Sequence, residues 1–171
     1  AELVDNDDLQ LLNGKPSVIN VLDALYSWQL VRELDQATGT PAATSFKHVT
    51  PSGAAIGTEI PKKELQSYHV NKDISSLLAK AYIKARGSDR LASFGDFIGT
   101  SRPVDVETAA IIRSEVSDGI IAPGFEKEAL EILKTKKKGN YVIFQINEDH
   151  VPEPIEERTI FGFTIKQQRN E

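Results

Sequence analysis

Apolar residues along the chain recur with two alternating periods, one typical of helices and one typical of strands. Near the start, a period close to 3.6 residues predicts a helix that Asn20 caps and Gly39 ends. The apolar face of this helix is predicted to consist of Leu22, Leu25, Tyr26, Leu30 and Leu34. The remaining predicted helices cover residues 73–87 with Asp73 as the cap, residues from 105 onward with Asp105 as the cap, and residues 126–137.

Extended segments separate these helices. Runs rich in apolar residues predict extended segments over residues 41–49, 116–122 and 141–146, and a short strand or turn over residues 93–98. Further along, Phe161, Phe163 and Ile165 alternate with polar or small residues, as in a half-buried strand. The order of helices and strands predicts a single α/β domain over residues 1–171, in which helices pack on a largely parallel or mixed sheet.

The last part of the chain is polar. Residues 148–157 are acidic and contain Pro152 and Pro154, which favours an extended connector within the domain. The last predicted strand then runs into residues 167–171 with no closing element. The pattern therefore predicts that the chain is truncated there.

Composition narrows the range of functions. With 171 residues, 40% of them apolar, the chain can bury one core. It lacks an apolar run of the about 20 residues that span a bilayer, and residues 1–20 do not resemble a secretory signal, so a soluble cytoplasmic protein is expected. A net charge of −5 disfavours nucleic-acid and membrane partners. The absence of cysteine excludes disulfides and thiol nucleophiles.

The strongest candidate for chemistry is the pair Lys47 and His48, at the end of a predicted strand. Pro51 is predicted to break that strand before a small-residue segment that can begin a helix. Ligands of open α/β sheets bind beyond the carboxyl ends of strands, which favours a functional role here. His can accept a proton and Lys can stabilise negative charge, provided that the strand is already turning. The alternative is a His bonded to backbone beside a solvent-facing Lys.

A second candidate is the segment around Gly95. A glycine between Phe94 and Asp96 allows the backbone to approach a flat ligand closely, and flanking aromatic rings can stack on that ligand. The alternative interpretation is an ordinary turn in which Phe94 and Phe97 belong to the core.

A third candidate is Asp118, which interrupts an apolar strand together with Gly119. Its carboxylate can accept hydrogen bonds from a substrate, and Gly119 would leave room for that substrate. Equally, Asp118 can satisfy backbone N–H groups in a turn. The sequence leaves both interpretations open.

Other charged groups give weaker signals. Lys136, Lys137 and Lys138 fall at a predicted helix end, where cations complement the helix dipole, and we interpret them as solvated. His69 and His150 have no ligand-like spacing to each other or to His48, so no metal site is predicted.

Together these segments resemble the aminoimidazole carboxamide ribotide (AICAR) transformylase region of the bifunctional purine-synthesis enzymes that also carry inosine monophosphate cyclohydrolase. The resemblance extends from Leu12 to Asn170. It rests on segments that occur here in the family's order, namely Phe46-Lys47-His48-Val49 with Pro51, Ala85-Arg86-Gly87, Ser93-Phe94-Gly95-Asp96-Phe97, Val116-Ser117-Asp118-Gly119-Ile120 and Lys136-Lys137-Lys138.

The resemblance implies transfer of a formyl group from 10-formyltetrahydrofolate to the 5-amino group of AICAR. By analogy, His48 would accept the proton of the amine and Lys47 would stabilise the oxyanion. Gly95, Asp118 and Phe94 match positions that hold the ribotide, and Leu91 and Phe94 fall near the folate pocket. The cosubstrate is thus 10-formyltetrahydrofolate, and no metal is expected.

The family fold is a duplicated cytidine-deaminase-like α/β/α layer with a mixed sheet, of which this chain would supply the first copy. The resemblance further implies a homodimer and a missing second half of the transformylase domain, so the isolated chain is expected to lack part of the site. Two alternatives stay open: a module that binds the ribotide without turnover, and a structural module of the same fold.

Overall fold

Helices and strands alternate along most of the chain in the computed structural model, which describes residues 7–70 and 73–169. The elements, in order, are β1 (Leu9–Asn13), α1 (Val18–Thr38), β2 (Ala42–Lys47), β3 (Thr50–Ile56), α2 (Lys62–Ser67), α3 (Leu77–Gly87), β4 (Asp96–Thr100), α4 (Val106–Ser114), β5 (Ser117–Ala122), α5 (Lys127–Lys134), a 3₁₀ turn (Lys136–Gly139), β6 (Val142–Ile146), β7 (Ile155–Ile160) and β8 (Phe163–Gln168). Strand β1 and helix α2 were not predicted from the sequence.

One mixed sheet forms the centre of the fold, with the strand order β1-β6-β5-β4-β2-β3. The central strands β4, β5 and β6 are parallel. Strand β1 is antiparallel to β6, and β2 is antiparallel to both β3 and β4. The expectation of a mixed sheet is therefore confirmed.

Alternate residues of each central strand enter two separate apolar cores. In β5, Ile121 packs on the face that α1 covers, while Ile120 packs on the face that α3, α4 and α5 cover. In β6, Phe144 and Ile143 divide between the two faces in the same way. The result is the expected three-layer α/β/α arrangement.

The cap of helix α1 lies three residues before the predicted one. Ser17 takes the cap position and accepts the N–H of Asn20, whose own side chain accepts the N–H of Ser17. Asn20 thus closes a capping box from inside the helix. At the other end, Gly39 adopts the predicted left-handed conformation, with φ of 67°.

The buried face of α1 is rotated from the predicted one. Its buried residues are Asp23, Ala24, Ser27, Trp28 and Val31. Small side chains are needed here because the helix lies close to the sheet: a Cβ added to Gly99 of β4 would stand 2.8 Å from the Ser27 hydroxyl. The large leucines of the predicted face therefore lie at the margins of the contact.

Of the predicted caps of α3 and α4, one agrees with the structure and one does not. Asp105 caps α4 as predicted and accepts the N–H of Thr108 at 2.7 Å. Helix α3, by contrast, begins after Ser76 and not at Asp73. The Ser76 hydroxyl is held in the cap position because it also donates to the Asp105 carboxylate at 2.6 Å.

Strands β2 and β3 form a hairpin, so the predicted helix after Pro51 is wrong. Pro51 lies in β3, opposite Phe46. An edge strand tolerates proline because its outer N–H groups need no ladder partner. The pairing passes from Ser45–Gly53 to Phe46–Pro51, which leaves Ser52 as an extra residue in β3.

The last two strands form a separate hairpin, β7-β8. The connector predicted over residues 148–157 ends earlier, because β7 begins at Ile155. The prediction of a half-buried last strand is wrong in the described chain: Phe163 is 72% exposed, and Phe161 lies in the turn of the hairpin. Residues 170 and 171, on which the expected truncation partly rests, lie outside the described residues.

No described helix combines the length and the apolar character that crossing a membrane requires.

A buried guanidinium joins three elements of the fold. Arg86 of α3 donates to Asp96 at 3.0 Å, to Glu115 at 2.8 Å and to the carbonyl of Ser93 at 2.7 Å. The other carboxylate oxygen of Asp96 accepts the hydroxyl of Ser45 in β2. This group of side chains therefore fixes the start of β4 between α3, β2 and the end of α4.

We expect Arg86→Met to destabilise the fold by about 3–5 kcal/mol, because it leaves buried carboxylates without their cation. Urea unfolding of the variant and the parent measures the loss. Arg102→Met is the matched control: Arg102 pairs with Asp35 at the surface, and its removal should cost no more than about 1 kcal/mol. Equal losses for the two variants would contradict the role of Arg86.

Burial raises the pKa of Asp96 from 3.8 to about 6, against the opposing charge of Arg86. The folded chain then holds a proton on this carboxyl more tightly than the unfolded chain does. The associated stability is present below about pH 4 and is lost as the pH rises through about 6. We expect the difference in unfolding free energy between parent and Asp96→Asn to fall by on the order of 3 kcal/mol over that range. Urea unfolding at several pH values tests this, and a constant difference would contradict it.

Candidate functional site

The predicted site residues lie at the edge of the sheet that is formed by the amino ends of the parallel strands β4, β5 and β6. Because β2 runs antiparallel to β4, its last residue, Lys47, lies beside the start of β4. Gly95 directly precedes β4, and Asp118 is the second residue of β5. Ligands of open α/β sheets bind beyond the carboxyl ends of parallel strands, but Lys47 lies beside the amino end of β4. That argument for a functional role of this segment therefore does not apply.

His48 occupies the turn between β2 and β3. Lys47 pairs with Thr50, so the turn contains only His48 and Val49. Both have positive φ, 54° and 63°, as two-residue type I′ turns require. The strand is therefore turning at His48, which is the condition for Lys47 and His48 to serve the same ligand.

Lys47 is tied to the neighbouring loop. Its Nζ donates to the carbonyl oxygen of Phe94 at 2.6 Å. Lys47 is half-buried and this bond is exposed to solvent, so the alternative of a solvent-facing lysine stays open. The contact places the ammonium between the end of β2 and the loop that precedes β4.

That loop presents apolar side chains outward. Phe94 is 61% exposed and Leu91 is 90% exposed, whereas Phe97 is buried in the core. The alternative of two core phenylalanines is therefore wrong for Phe94. Gly95 has φ of 75°, a conformation that favours glycine, and its N–H donates to the carbonyl of Val116. Leu91 packs little against the rest of the loop.

Asp118 sits at a β-bulge. Asp96 pairs with Ser117 and Phe97 with Gly119, so Asp118 is an extra residue in β5. Bulges next to functional sites re-aim side chains. The Asp118 carboxylate accepts the Nζ of Lys137 at 2.7 Å, so its bonding partner is a side chain rather than a turn backbone.

Gly119 leaves room for protein and not for a ligand. A Cβ added there would lie 2.3 Å from the ring of Phe97 and 2.7 Å from the carbonyl oxygen of Val142. The interpretation of Gly119 as space for a substrate is therefore wrong.

Of the three lysines before β6 that we interpreted as solvated, Lys137 and Lys138 are exposed but Lys136 is not. Lys136 is buried and donates to the carbonyls of Ile112 and Glu115 at 2.9 and 2.6 Å. Burial lowers its pKa. Lys137 and Lys138 follow with positive φ, 49° and 56°. The buried Lys136 thus anchors a strained turn from which Lys137 reaches Asp118.

Sequence reasoning missed Asp23, a buried residue of α1. Its Oδ1 accepts the N–H of Val49 at 2.6 Å. Burial raises the pKa of Asp23; the Val49 N–H and the charge of His48 lower it, and Asp118 raises it further. Asp23 lies one helical turn before Ser27 on the buried face of α1. This spacing identifies Asp23 as a buried acid only after the buried face is known.

The edge therefore combines a histidine in a turn, a lysine, two carboxylates and exposed apolar side chains. Such a set can move a proton, stabilise an anion and hold polar hydroxyl or amine groups. Within residues 7–70 and 73–169, no cluster of at least three His, Asp or Glu side chains could hold a metal ion.

The opposite edge of the sheet carries a cleft of about 400 Å³. Its lining includes Asp8, Asn147, Glu148 and Asp149. The negative charge of these carboxylates repels phosphate and carboxylate ligands. The cleft is thus poorly suited to anionic substrates.

Comparison with known proteins gives a consistent result. The profile of the AICARFT/IMPCHase bienzyme family matches residues 2–171. A protein of Thermoanaerobacter sp., named bifunctional purine biosynthesis protein PurH, is 33% identical over 96% of this chain and 28% of its own length.

Two further relatives carry the same name. The protein of Clostridium beijerinckii is 36% identical over 75% of this chain and 21% of its own length. The protein of Halalkalibacterium halodurans is 32% identical over 83% of this chain and 24% of its own length. This chain spans roughly a quarter of the length of these relatives. Since the family profile covers nearly every residue, the chain belongs to the AICARFT/IMPCHase bienzyme family.

Proposed function

We propose that this chain contributes the Lys47–His48 part of a folate-dependent formyltransferase of purine synthesis. The formyl group passes from 10-formyltetrahydrofolate to the 5-amino group of AICAR. The observation that carries the proposal is the placement of Lys47 and His48 at one turning corner, beside Phe94, Gly95 and Asp118. Family membership supports the same reaction.

The reaction needs a base because the amine is a weak nucleophile. The amine nitrogen attacks the formyl carbon, and His48 takes up the proton that the amine releases. The bond between the formyl carbon and N10 of the folate then breaks, and N10 receives a proton. Formyl-AICAR and tetrahydrofolate are the products, so atoms and charge balance.

Lys47 is suited to the developing oxyanion. An ammonium has three donors, so the bond to the Phe94 carbonyl leaves others for the substrate oxygen. A cation that is already fixed in place needs little reorganisation when negative charge develops. The Phe94 carbonyl therefore acts as a support for Lys47.

The remaining site residues bind the two substrates in this proposal. Gly95 and Asp118 hold the ribotide, with Asp118 kept in place by Lys137. Phe94 and Leu91 offer exposed apolar surface to the flat ring of the folate, and Phe94 also borders the ribotide. The rest of the pocket comes from the remainder of a longer protein and from a second subunit of a homodimer.

A module that binds the ribotide without turnover is a second candidate. It is favoured by one observation: Lys47 and Asp118 already have partners within the chain. Such a module would bind AICAR but release no tetrahydrofolate, which separates the two candidates.

We expect His48→Ala to lower kcat for formyl transfer by about 10²–10⁴-fold, since it removes the proton acceptor. Tetrahydrofolate release is followed with AICAR and 10-formyltetrahydrofolate in the full-length protein. His150→Gln is the control, because His150 pairs with Asp8 at the opposite edge, and it should retain full activity. A His48→Ala variant with near-parental kcat would rule out His48 as the base.

We expect Lys137→Met to raise KM for AICAR by about 5–20-fold with a smaller change in kcat, because Asp118 loses the cation that orients it. Steady-state kinetics with AICAR as the varied substrate measures the split. Lys138→Met is the matched control: Lys138 shares the left-handed backbone of this turn and is exposed. Equal effects of the two substitutions on KM would contradict a specific role for the contact between Lys137 and Asp118.

A further inference from the structure

Asp23 lies beneath the turn that presents His48. It belongs to α1, is only 5% exposed, and sits among the side chains that pack α1 on the sheet. A buried carboxylate is unfavourable unless hydrogen bonds and nearby positive charge offset the free energy of its desolvation. Neither the capping of α1 nor the packing of its apolar face requires an acid at this position.

The contact of Asp23 is with the backbone of the turn. Its Oδ1 accepts the N–H of Val49 at 2.6 Å. In a two-residue hairpin loop, the ladder between Lys47 and Thr50 leaves the N–H groups of the central residues without strand partners. Asp23 therefore supplies the acceptor that the hairpin itself does not provide.

The turn needs such support because its sequence does not suit its conformation. Type I′ turns favour Asn-Gly, whereas this turn contains His48 and Val49 with φ of 54° and 63°. A β-branched residue with positive φ is a clear outlier. A strained backbone persists only where its surroundings enforce it, and such strain is common at active sites.

The Asp23 carboxyl also lies within the electrostatic reach of the site. The charge of His48 in the turn favours its ionised form, and that of Asp118 in β5 disfavours it. Asp118 in turn is paired with Lys137. Asp23 therefore lies among the charged side chains of the candidate site.

We propose that Asp23 is a positioning residue for formyl transfer: it holds the His48–Val49 turn, and with it the His48 side chain, through the Val49 N–H. The inference rests on the proposed function of His48 as the base. The proton moves from the amine to His48 and the folate N10 gains one in turn, so Asp23 is unchanged over the cycle.

Two substitutions test the hydrogen bond. Asp23→Ala removes the acceptor of the Val49 N–H, and we expect kcat to fall about 10–100-fold with little change in KM, because the turn that presents His48 loses its support. Asp23→Asn keeps an oxygen for the Val49 N–H and should retain kcat within about threefold of the parent.

A second site tests the turn directly. Val49→Gly relieves the strain of the positive φ, so in the Asp23→Ala background it should restore kcat to about the level of Asp23→Asn and no higher. In the parental background it should change kcat by less than about threefold. The amide resonance of Val49 in NMR spectra reports the state of the turn independently of activity.

Asp35→Asn is the matched control. Asp35 is an acid of the same helix that pairs with Arg102 and Ser101 away from the turn. It should leave kcat and the Val49 amide resonance unchanged. Urea unfolding checks the fold, and Asp23→Asn should be at least as stable as the parent, since it replaces a buried charge with a neutral amide.

The results separate a failure of the proposed function from a failure of the proposed role of Asp23. A parental protein without formyl transfer would overturn the proposed function and with it the role of Asp23 in catalysis. An active parent with Asp23→Ala within about twofold in kcat would overturn the inference alone. A loss of kcat in Asp23→Ala that comes with a shifted Val49 resonance, and that Asp23→Asn does not share, would support it.

Discussion

The guanidinium of Arg86 holds together the edge of the sheet on which the candidate site depends. It bonds to Asp96, to Glu115 and to the carbonyl of Ser93, and so fixes both sides of the short segment that carries Phe94 and Gly95. The Phe94 carbonyl in turn holds Lys47. A buried ion network inside α3, β4 and the end of α4 thus determines where an exposed ammonium stands.

Departures from regular backbone geometry assemble the rest of the site. The turn at His48 has positive φ, Asp118 is an extra residue in β5, and Lys137 is left-handed. Each departure ends a regular element and turns a polar side chain toward the same edge. The site is therefore formed where the sheet stops being regular, while the two apolar cores keep its position.

Hydrophobic period is a short-range signal, and it predicted an α/β domain with a largely parallel or mixed sheet. The three-layer arrangement was implied by the family resemblance, and the role of Lys47 and His48, which local motifs indicated, stays a prediction. The sequence pattern missed β1, which is defined by pairing with β6, far away in the chain. It also missed Asp23 and the buried Lys136, whose environments arise only when distant elements pack. The apparent helix after Pro51 failed because small residues suit an edge strand equally well.

The hairpin between β2 and β3 restricts how this part of the chain can vary in length. With only two residues in the turn, an insertion there would replace it with a longer loop and change the backbone conformation that presents His48. The edge strand β3 already absorbs one extra residue at Ser52, on the side of β2 away from β4. A change of length at the turn therefore alters the candidate site directly, whereas β3 accommodates an extra residue beside it.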